Sequence, residues 1–254
     1  MNPYIKNLNR LEFLVTFACT GKCKHCSEGE HEAKGRHLDG DVAAEAVRKV
    51  SQKYKIDSLM TFGGEPLLYA DEVCKIHAAG KMAGIPKRQL ITNGFFSKDN
   101  ERIEQVAGQL AKSGVNAILL SVDVFHQETI PIEVVKAFAK AVKREQIWIR
   151  THPAWLSGEV ADNPYNRKTQ EILDEFARME IMASEGNIIF PAGNALKYLN
   201  GYFDLSIPYV SPYDEDETDI HAICIGPDGG VLNGNIYESD VMEIIDGYRP
   251  SKEK

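Results

Sequence analysis

The chain is short of cysteine, of basic residues and of long apolar runs, and each shortage excludes something. Five cysteines in 254 residues, an odd number with three of them crowded together, do not make a disulfide framework. No apolar stretch approaches the roughly eighteen residues that a membrane helix needs, so no membrane partner is expected. The opening run Met1-Asn-Pro-Tyr-Ile-Lys6 lacks the apolar core of a secretory signal, and a reducing, cytoplasmic setting is expected. Lys and Arg number 29 against 37 Asp and Glu, a formal charge of −8, which argues against a nucleic-acid partner held through its phosphates. There is no low-complexity tract and no internal repeat beyond an alternation of strand and helix patterns. What remains, 43% hydrophobic and 26% charged residues, is an ordinary globular composition long enough for a real core.

The scarce cysteines are concentrated in Cys19-Thr-Gly-Lys-Cys23-Lys-His-Cys26, directly after the apolar stretch 11–17. Three thiolates this close can hold three corners of a [4Fe-4S] cluster and leave the fourth iron open for chemistry. Zinc is the competing reading, since it binds three cysteines plus a histidine, and His25, His31 and His37 are near. A zinc knuckle, however, gives no reason for the strand pattern that follows.

Strands are expected at 11–17, 58–62, 89–92, 117–122, 147–150 and 187–190, with amphipathic helices near 40–54, 70–83, 99–113, 132–145 and 167–183. Asp39 and Asp99 stand at N-cap positions. Six such units in succession predict an α/β fold, a partial (β/α)6 TIM-like barrel with a parallel sheet. The cysteine loop, Gly63-Gly64-Glu65-Pro66, Thr92-Asn93, Ser121-Val-Asp123 and Arg150-Thr-His152 all fall at strand C-terminal ends, the face where barrel enzymes act. Beyond residue 194 the pattern weakens. The barrel is expected over 1–200. A C-terminal extension over 201–254 would cover the active-site side, with an acidic loop at 208–219, a hairpin from 220–225 and 231–233, and a short helix at 239–245.

The C-x3-C-x2-C spacing with His25 before its last cysteine, the Gly63-Gly64-Glu65-Pro66 segment and the endings Thr92-Asn93-Gly94 and Ser121-Val122-Asp123 resemble the radical S-adenosylmethionine (radical SAM) superfamily over roughly residues 11 to 195. The resemblance implies one [4Fe-4S] cluster on Cys19, Cys23 and Cys26, whose open iron chelates S-adenosylmethionine. Reduction would yield a 5′-deoxyadenosyl radical that abstracts a hydrogen atom from a peptide or small metabolite, for rearrangement, epimerisation or bond formation. Gly63 and Gly64 would let backbone approach the ligand, Glu65 would lie near its amino group, and Pro66 would fix the turn. Ser121 and Arg150 would hold the methionine carboxylate. Asp123 suits a ribose hydroxyl or a helix cap; Asn93 suits ribose or adenine, or a plain turn; His25 would lie beside the adenine or be merely solvated.

The stretch 223–233 resembles a stripped SPASM or twitch extension, with Asn233 where a second cysteine is expected. Cys224 is therefore either a hydrogen-atom donor to a substrate radical or a buried apolar cysteine, and Cys74 a small core residue. The long segment after strand five offers His152, Trp155, Tyr165, Asn166 and Arg167 as substrate contacts, joined on the same rim by Asn194. His126 reads as a proton donor or a surface histidine. Lys136, Lys140 and Lys143 or Arg144 form a stripe that either docks a flavodoxin or ferredoxin reductant or is a solvated face. The rival functions are a glycyl-radical-enzyme activase and a noncatalytic iron–sulfur or zinc module.

Overall fold

Alternation along β1 (Arg10–Leu14) sends Leu11 and Phe13, both essentially unexposed, to one face and Arg10, Glu12 and Leu14 to the other. The same up-and-down pointing of side chains runs through β2 (Ser58–Phe62), β3 (Lys87–Thr92), β4 (Ala117–Leu120) and β5 (Trp148–Thr151), although in β2, β3 and β4 consecutive residues are buried. It gives the sheet an apolar face under helices and a half-polar concave face, the lumen. The computed structural model describes residues 2–207, 209, 211 and 214–251. The helices are α1 (Gly40–Lys53), α2 (Ala70–Met82), α3 (Asn100–Ser113), α4 (Val124–Gln127), α5 (Ile132–Arg144) and α6 (Pro164–Ala177). Asp39 caps α1 by accepting from the Asp41 and Val42 N–H groups, Asp99 caps α3 through Glu101 N–H, and Gly114 ends α3 at φ 94°.

All pairings in the main sheet are parallel, and its order is β5-β4-β3-β2-β1-β8, where β8 is Ala222–Ile225. The sixth strand expected at 187–190 is thus replaced in this sheet by a strand from the C-terminal region, in register with β1 from Arg10↔Ala222 to Phe13↔Ile225. The expected boundary at residue 200 runs between strands of one sheet. The expected hairpin is shifted as well: 220–225 joins the sheet, and β9 (Gly230–Val231) pairs with β10 (Gly234–Asn235). Of the expected acidic loop, Pro208, Val210, Pro212 and Tyr213 lie outside the described residues.

Only a two-residue β7 (Asn187–Ile188) remains at 187–190, and it pairs with β6 (Ala154–Trp155) just past the end of β5. The reason is chemical. Pro153 has no N–H to continue the β5 ladder, and Gly186, at φ 74°, crosses so close to it that a Cβ would lie 2.2 Å from the Pro153 carbonyl oxygen. After β7 comes the short α7 (Gly193–Tyr198), and the chain closes with α8 (Val241–Gly247), capped by Asp240. Helix α8 lies against α1, where Lys53 pairs with Asp246 at 2.7 Å, and the Asn2 side chain donates to the Ile245 and Tyr248 carbonyls. The basic stripe of α5 is largely neutralised: Lys136 pairs with Glu133 and Glu175, Lys143 with Glu180, and Arg144 with Glu104. Among the described residues no helix is long and apolar enough to cross a membrane.

Ile223 and Ile225, each 1% exposed, pack with Leu11, Phe13 and Ile245, so β8 shares its core with β1. Ile223→Ala should therefore cost about 2–5 kcal/mol in urea unfolding of the whole chain, as a buried truncation does. An unchanged midpoint would mean that β8 folds apart from the barrel.

Candidate active site at the C-terminal rim of the sheet

Past the last ladder pairs of β1 and β2 the two chains stay hydrogen-bonded. Val15 N–H donates to Phe62 O, Gly64 N–H to Thr16 O and Glu65 N–H to Ala18 O, each at 2.8 Å. This continuation explains the two glycines. A Cβ on Gly63 would lie 2.5 Å from Thr16 O, and one on Gly64 would lie 2.2 Å from Ala18 O. The close approach seen in the structure is to the backbone leading into the cysteine loop.

Glu65 is held on both carboxylate oxygens by the protein. It is fully buried: Oε1 accepts from Leu67 N–H at 2.9 Å and Thr92 Oγ1 at 2.7 Å, and Oε2 accepts from Asn93 N–H at 2.8 Å. Its carboxyl group ties the end of β2 to the end of β3, and burial raises its pKa to about 7. Pro66 follows, buried at the first position of a short 3-10 helix over Pro66–Tyr69, where its missing N–H costs nothing.

The cysteines sit on the rim so built. Cys23 is buried; Cys19 and Cys26 are half-buried. A Cβ on Gly21 would lie 3.2 Å from Cys23 Sγ and 3.7 Å from Cys19 Sγ, so both sulfurs converge beside a residue with no side chain. Gly21 N–H donates to Cys19 Sγ at 3.3 Å, and Asn93 Nδ2 lies 3.6 Å from the same sulfur and 3.3 Å from Thr20 Oγ1. Burial raises the Cys19 thiol to about 11 and pushes Cys23 and Cys26 up as well. Two neighbours were not foreseen as contacts of the sulfurs. Thr129 hydrogen-bonds Cys23 and accepts from Lys22 N–H, and His31 Nε2 lies 3.1 Å from Cys26 Sγ. Thr129 has no local signature in the sequence, for it reaches the loop only because α4 follows β4 on the same rim.

His25 packs between the Phe125 ring (centroids 5.2 Å apart) and the His126 ring (4.7 Å). Its Nδ1 is buried with no partner among the described residues, and burial, aided by His126, lowers its pKa to about 4. Asp123 is unexposed and caps α4 through His126 N–H, binds His126 Nδ1 at 2.8 Å and accepts from Ala154 N–H at 2.9 Å. Burial opposes its ionisation, but His126 beside it holds the carboxyl well below the usual range. The cap reading describes this residue, and both its carboxylate oxygens are engaged with protein groups.

Register then sorts the lumen into layers. Ser121 follows β4 and His152 follows β5 at the same level; His152 Nδ1 bonds Ser184 Oγ at 2.7 Å. Burial and then Arg150 lower the His152 pKa. One layer below, Leu14, Phe62 and Arg150 share the lumen side. The Arg150 guanidinium lies 4.8 Å from the centre of the Trp148 ring, and its Nε is buried with no partner among the described residues. The next layer holds Glu12, Met60, Gln89, Trp148 and Cys224. Trp148 is 54% exposed, and Cys224 is exposed toward the lumen although the surrounding walls raise its thiol to about 12. The buried reading of Cys224 is thereby excluded. Glu12 pairs with Arg10 at 2.5 Å, and burial raises its pKa.

Several expected substrate contacts are structural. Trp155 is 3% exposed and donates its indole N–H to Glu185 O. Asn166 is buried and knits the loop before α6, donating to the Leu156, Gly158 and Ala161 carbonyls. Arg167 is exposed and paired with Asp162, while Tyr165 stacks on Phe125 with centroids 5.0 Å apart. Asn194 is buried against the cysteine loop rather than open to the lumen.

A family model described as the Radical SAM superfamily matches residues 13–152. The chain belongs to the radical SAM superfamily and is an enzyme whose cofactors are a [4Fe-4S] cluster and S-adenosylmethionine. It is 27% identical over 123 residues to a "Probable GTP 3',8-cyclase" of Methanocaldococcus jannaschii, covering 48% of this chain and 39% of that one. It is 31% identical over 138 residues to another of that name from Saccharolobus solfataricus, covering 54% and 42%. The chain thus spans about two fifths of the length of these curated relatives. In structure it resembles Streptococcus suis SuiB bound to S-adenosylmethionine, with a TM-score of 0.59 at 14% identity, covering 98% of this chain and 68% of that one. The zinc-module reading falls with the family match. The residues present fit both cofactors: three sulfurs in one loop, Gly21 bare between two of them, and an orphaned Arg150 Nε facing the same lumen.

Glu65→Gln places an N–H donor against a donor at Thr92, Leu67 or Asn93, and should destabilise by about 1–3 kcal/mol. The Glu65 carboxyl titrates near 7 folded against an ordinary 4.5, so its contribution is full below about 4.5 and is lost as pH rises to about 7. The stability gap between wild type and variant, from urea melts, should narrow across that window; a constant gap would contradict a raised carboxyl.

Proposed function

We propose that this enzyme abstracts a hydrogen atom from a polar small metabolite or a peptide side chain held in the lumen below the rim. The observation that carries the reading is the layer of Glu12, Gln89, Trp148 and Cys224, half-open and polar, directly beneath Arg150. Cys19, Cys23 and Cys26 would hold the cluster. When bound, the cluster supplies an electron to S-adenosylmethionine and so a 5′-deoxyadenosyl radical.

The chain's own residues bind and orient. The Arg150 guanidinium, with an uncommitted Nε, suits a carboxylate, and the Ser121 hydroxyl one layer above adds a donor. The π-face of Trp148 holds that guanidinium in place. The amide of Asn93, beside Cys19 Sγ and Thr20 Oγ1, would serve ribose or adenine at the edge of the cysteine loop. Cys224 keeps its proton at neutral pH, as a thiol must if it is to return a hydrogen atom to a substrate radical. An external one-electron reductant of the flavodoxin or ferredoxin kind completes the requirements. A purine nucleotide is the second reading of the substrate, favoured by the 27–31% identity of the barrel to proteins named as GTP 3',8-cyclases.

Anaerobic reconstitution with iron and sulfide, then dithionite and S-adenosylmethionine, should release 5′-deoxyadenosine, and Cys23→Ala should release none. Normal cleavage by Cys23→Ala would sink the cysteine assignment. With GTP, peptides or metabolites added in turn, the substrate is the one that raises turnover. Cys224→Ala should keep uncoupled cleavage yet block product; unchanged product formation would remove the thiol from the mechanism.

A further inference from the structure

The cysteine loop carries no helix or strand between residues 19 and 36. Its own turns are long hydrogen bonds: Cys26 N–H to Cys23 O at 3.3 Å and Gly29 N–H to Cys26 O at 3.3 Å. An N–H···O bond is normally nearer 2.9–3.0 Å, so these turns hold the loop weakly. Shorter bonds reach the same carbonyls from the start of α7. Asn194 N–H donates to Cys26 O at 2.8 Å, and Asn194 Nδ2 donates to Cys23 O and Gly29 O, both at 3.1 Å. Both oxygens facing the amide are carbonyls, so its nitrogen must be the atom that faces them. Asn194 is 6% exposed. Gly193 lets it arrive: at φ 49°, a Cβ there would lie 2.3 Å from Ser27 O and 2.6 Å from Gly29 N.

We propose that Asn194 is a positioning residue that clamps the backbone carbonyls of Cys23 and Cys26 and so fixes the spacing at which their sulfurs hold the cluster. This rests on the reading of Cys19, Cys23 and Cys26 as the cluster ligands. Each of the two cysteine carbonyls has two lone pairs; the loop's turn uses one and Asn194 the other. An aspartate of the same size has no side-chain donor and would turn a charge toward carbonyl oxygens, so the part of the clamp on Cys23 and Gly29 needs the amide, while the bond to Cys26 O comes from the backbone N–H.

The test uses the reconstituted holoenzyme in four forms: wild type, Asn194→Ala, Asn194→Asp and Lys197→Ala. Lys197 lies on the same short helix and makes an exposed pair with Glu30 and a contact with the ring of its neighbour Tyr198, so its removal reports on docking of α7 in general. Cluster loss to an iron chelator is followed anaerobically, together with the EPR line shape of the reduced cluster. Both Asn194 variants should lose iron about 10- to 100-fold faster, the range seen when the partners of metal ligands are removed, with an altered line shape. Lys197→Ala should match wild type on both readouts. Loss rates and spectra for both Asn194 variants identical to wild type would overturn the clamp, as would a Lys197→Ala variant impaired as strongly. Should Asn194→Asp not fold, Asn194→Ala decides alone. A wild-type protein that takes up no cluster would instead overturn the cysteine reading, which separates the two failures.

Discussion

The rim depends on one constraint: the backbone of Gly63 and Gly64 must touch the backbone of Thr16 to Ala18. At 2.2 and 2.5 Å from carbonyl oxygens, no Cβ fits at either glycine. Because none is there, the ladder between β1 and β2 runs on into the cysteine loop, and Cys19 begins from a fixed place. Glu65, immediately after, passes that rigidity sideways to Thr92 and Asn93. Asn93 in turn touches Thr20 and the sulfur of Cys19. A four-residue segment thus acts as a strut among three strand ends.

Burial divides the polar residues of the rim into two kinds. Glu65, Asp123, Asn166 and Asn194 are nearly unexposed and spend their hydrogen bonds on other protein groups, mostly backbone, that would otherwise be costly to bury. Arg150, Trp148 and Cys224 face the lumen with capacity to spare. The first group shapes the site and the second can meet a ligand. Motif matching does not separate them, because both kinds occur at strand ends and both are polar.

That division marks how far the sequence was legible. Helix positions followed from apolar periodicity and from caps such as Asp39 and Asp99, which are local signals. The placement of the cysteine loop, Gly63–Gly64 and Ser121 at strand ends was legible for the same reason. The pairing of β8 with β1 was not, because a parallel ladder between residues some 210 apart leaves no local trace of its partner or register. The broken sixth position did leave a trace, Pro153 and Gly186, but their effect depends on the two meeting in space. The roles of Asn166 and Asn194 were illegible because an amide that serves buried carbonyls looks, in sequence, like one that serves a substrate.

The cysteine loop also does for the barrel what its hydrogen-bond ladder does not. The main sheet ends at β5, and beyond it β6 and β7 pair over only two residues. The loop leaves β1 near the opposite end of the sheet and is gripped by Gly193 and Asn194, which follow β7, while Lys197 pairs with Glu30 on its outer side. The rim is therefore closed through the loop that carries the cysteines. Whatever orders that loop also ties the two ends of the sheet together, so on the proposed cysteine assignment part of the free energy of loading the cysteines would go into closing the barrel. Cluster binding and the shape of the lumen beneath it would then be one equilibrium rather than two.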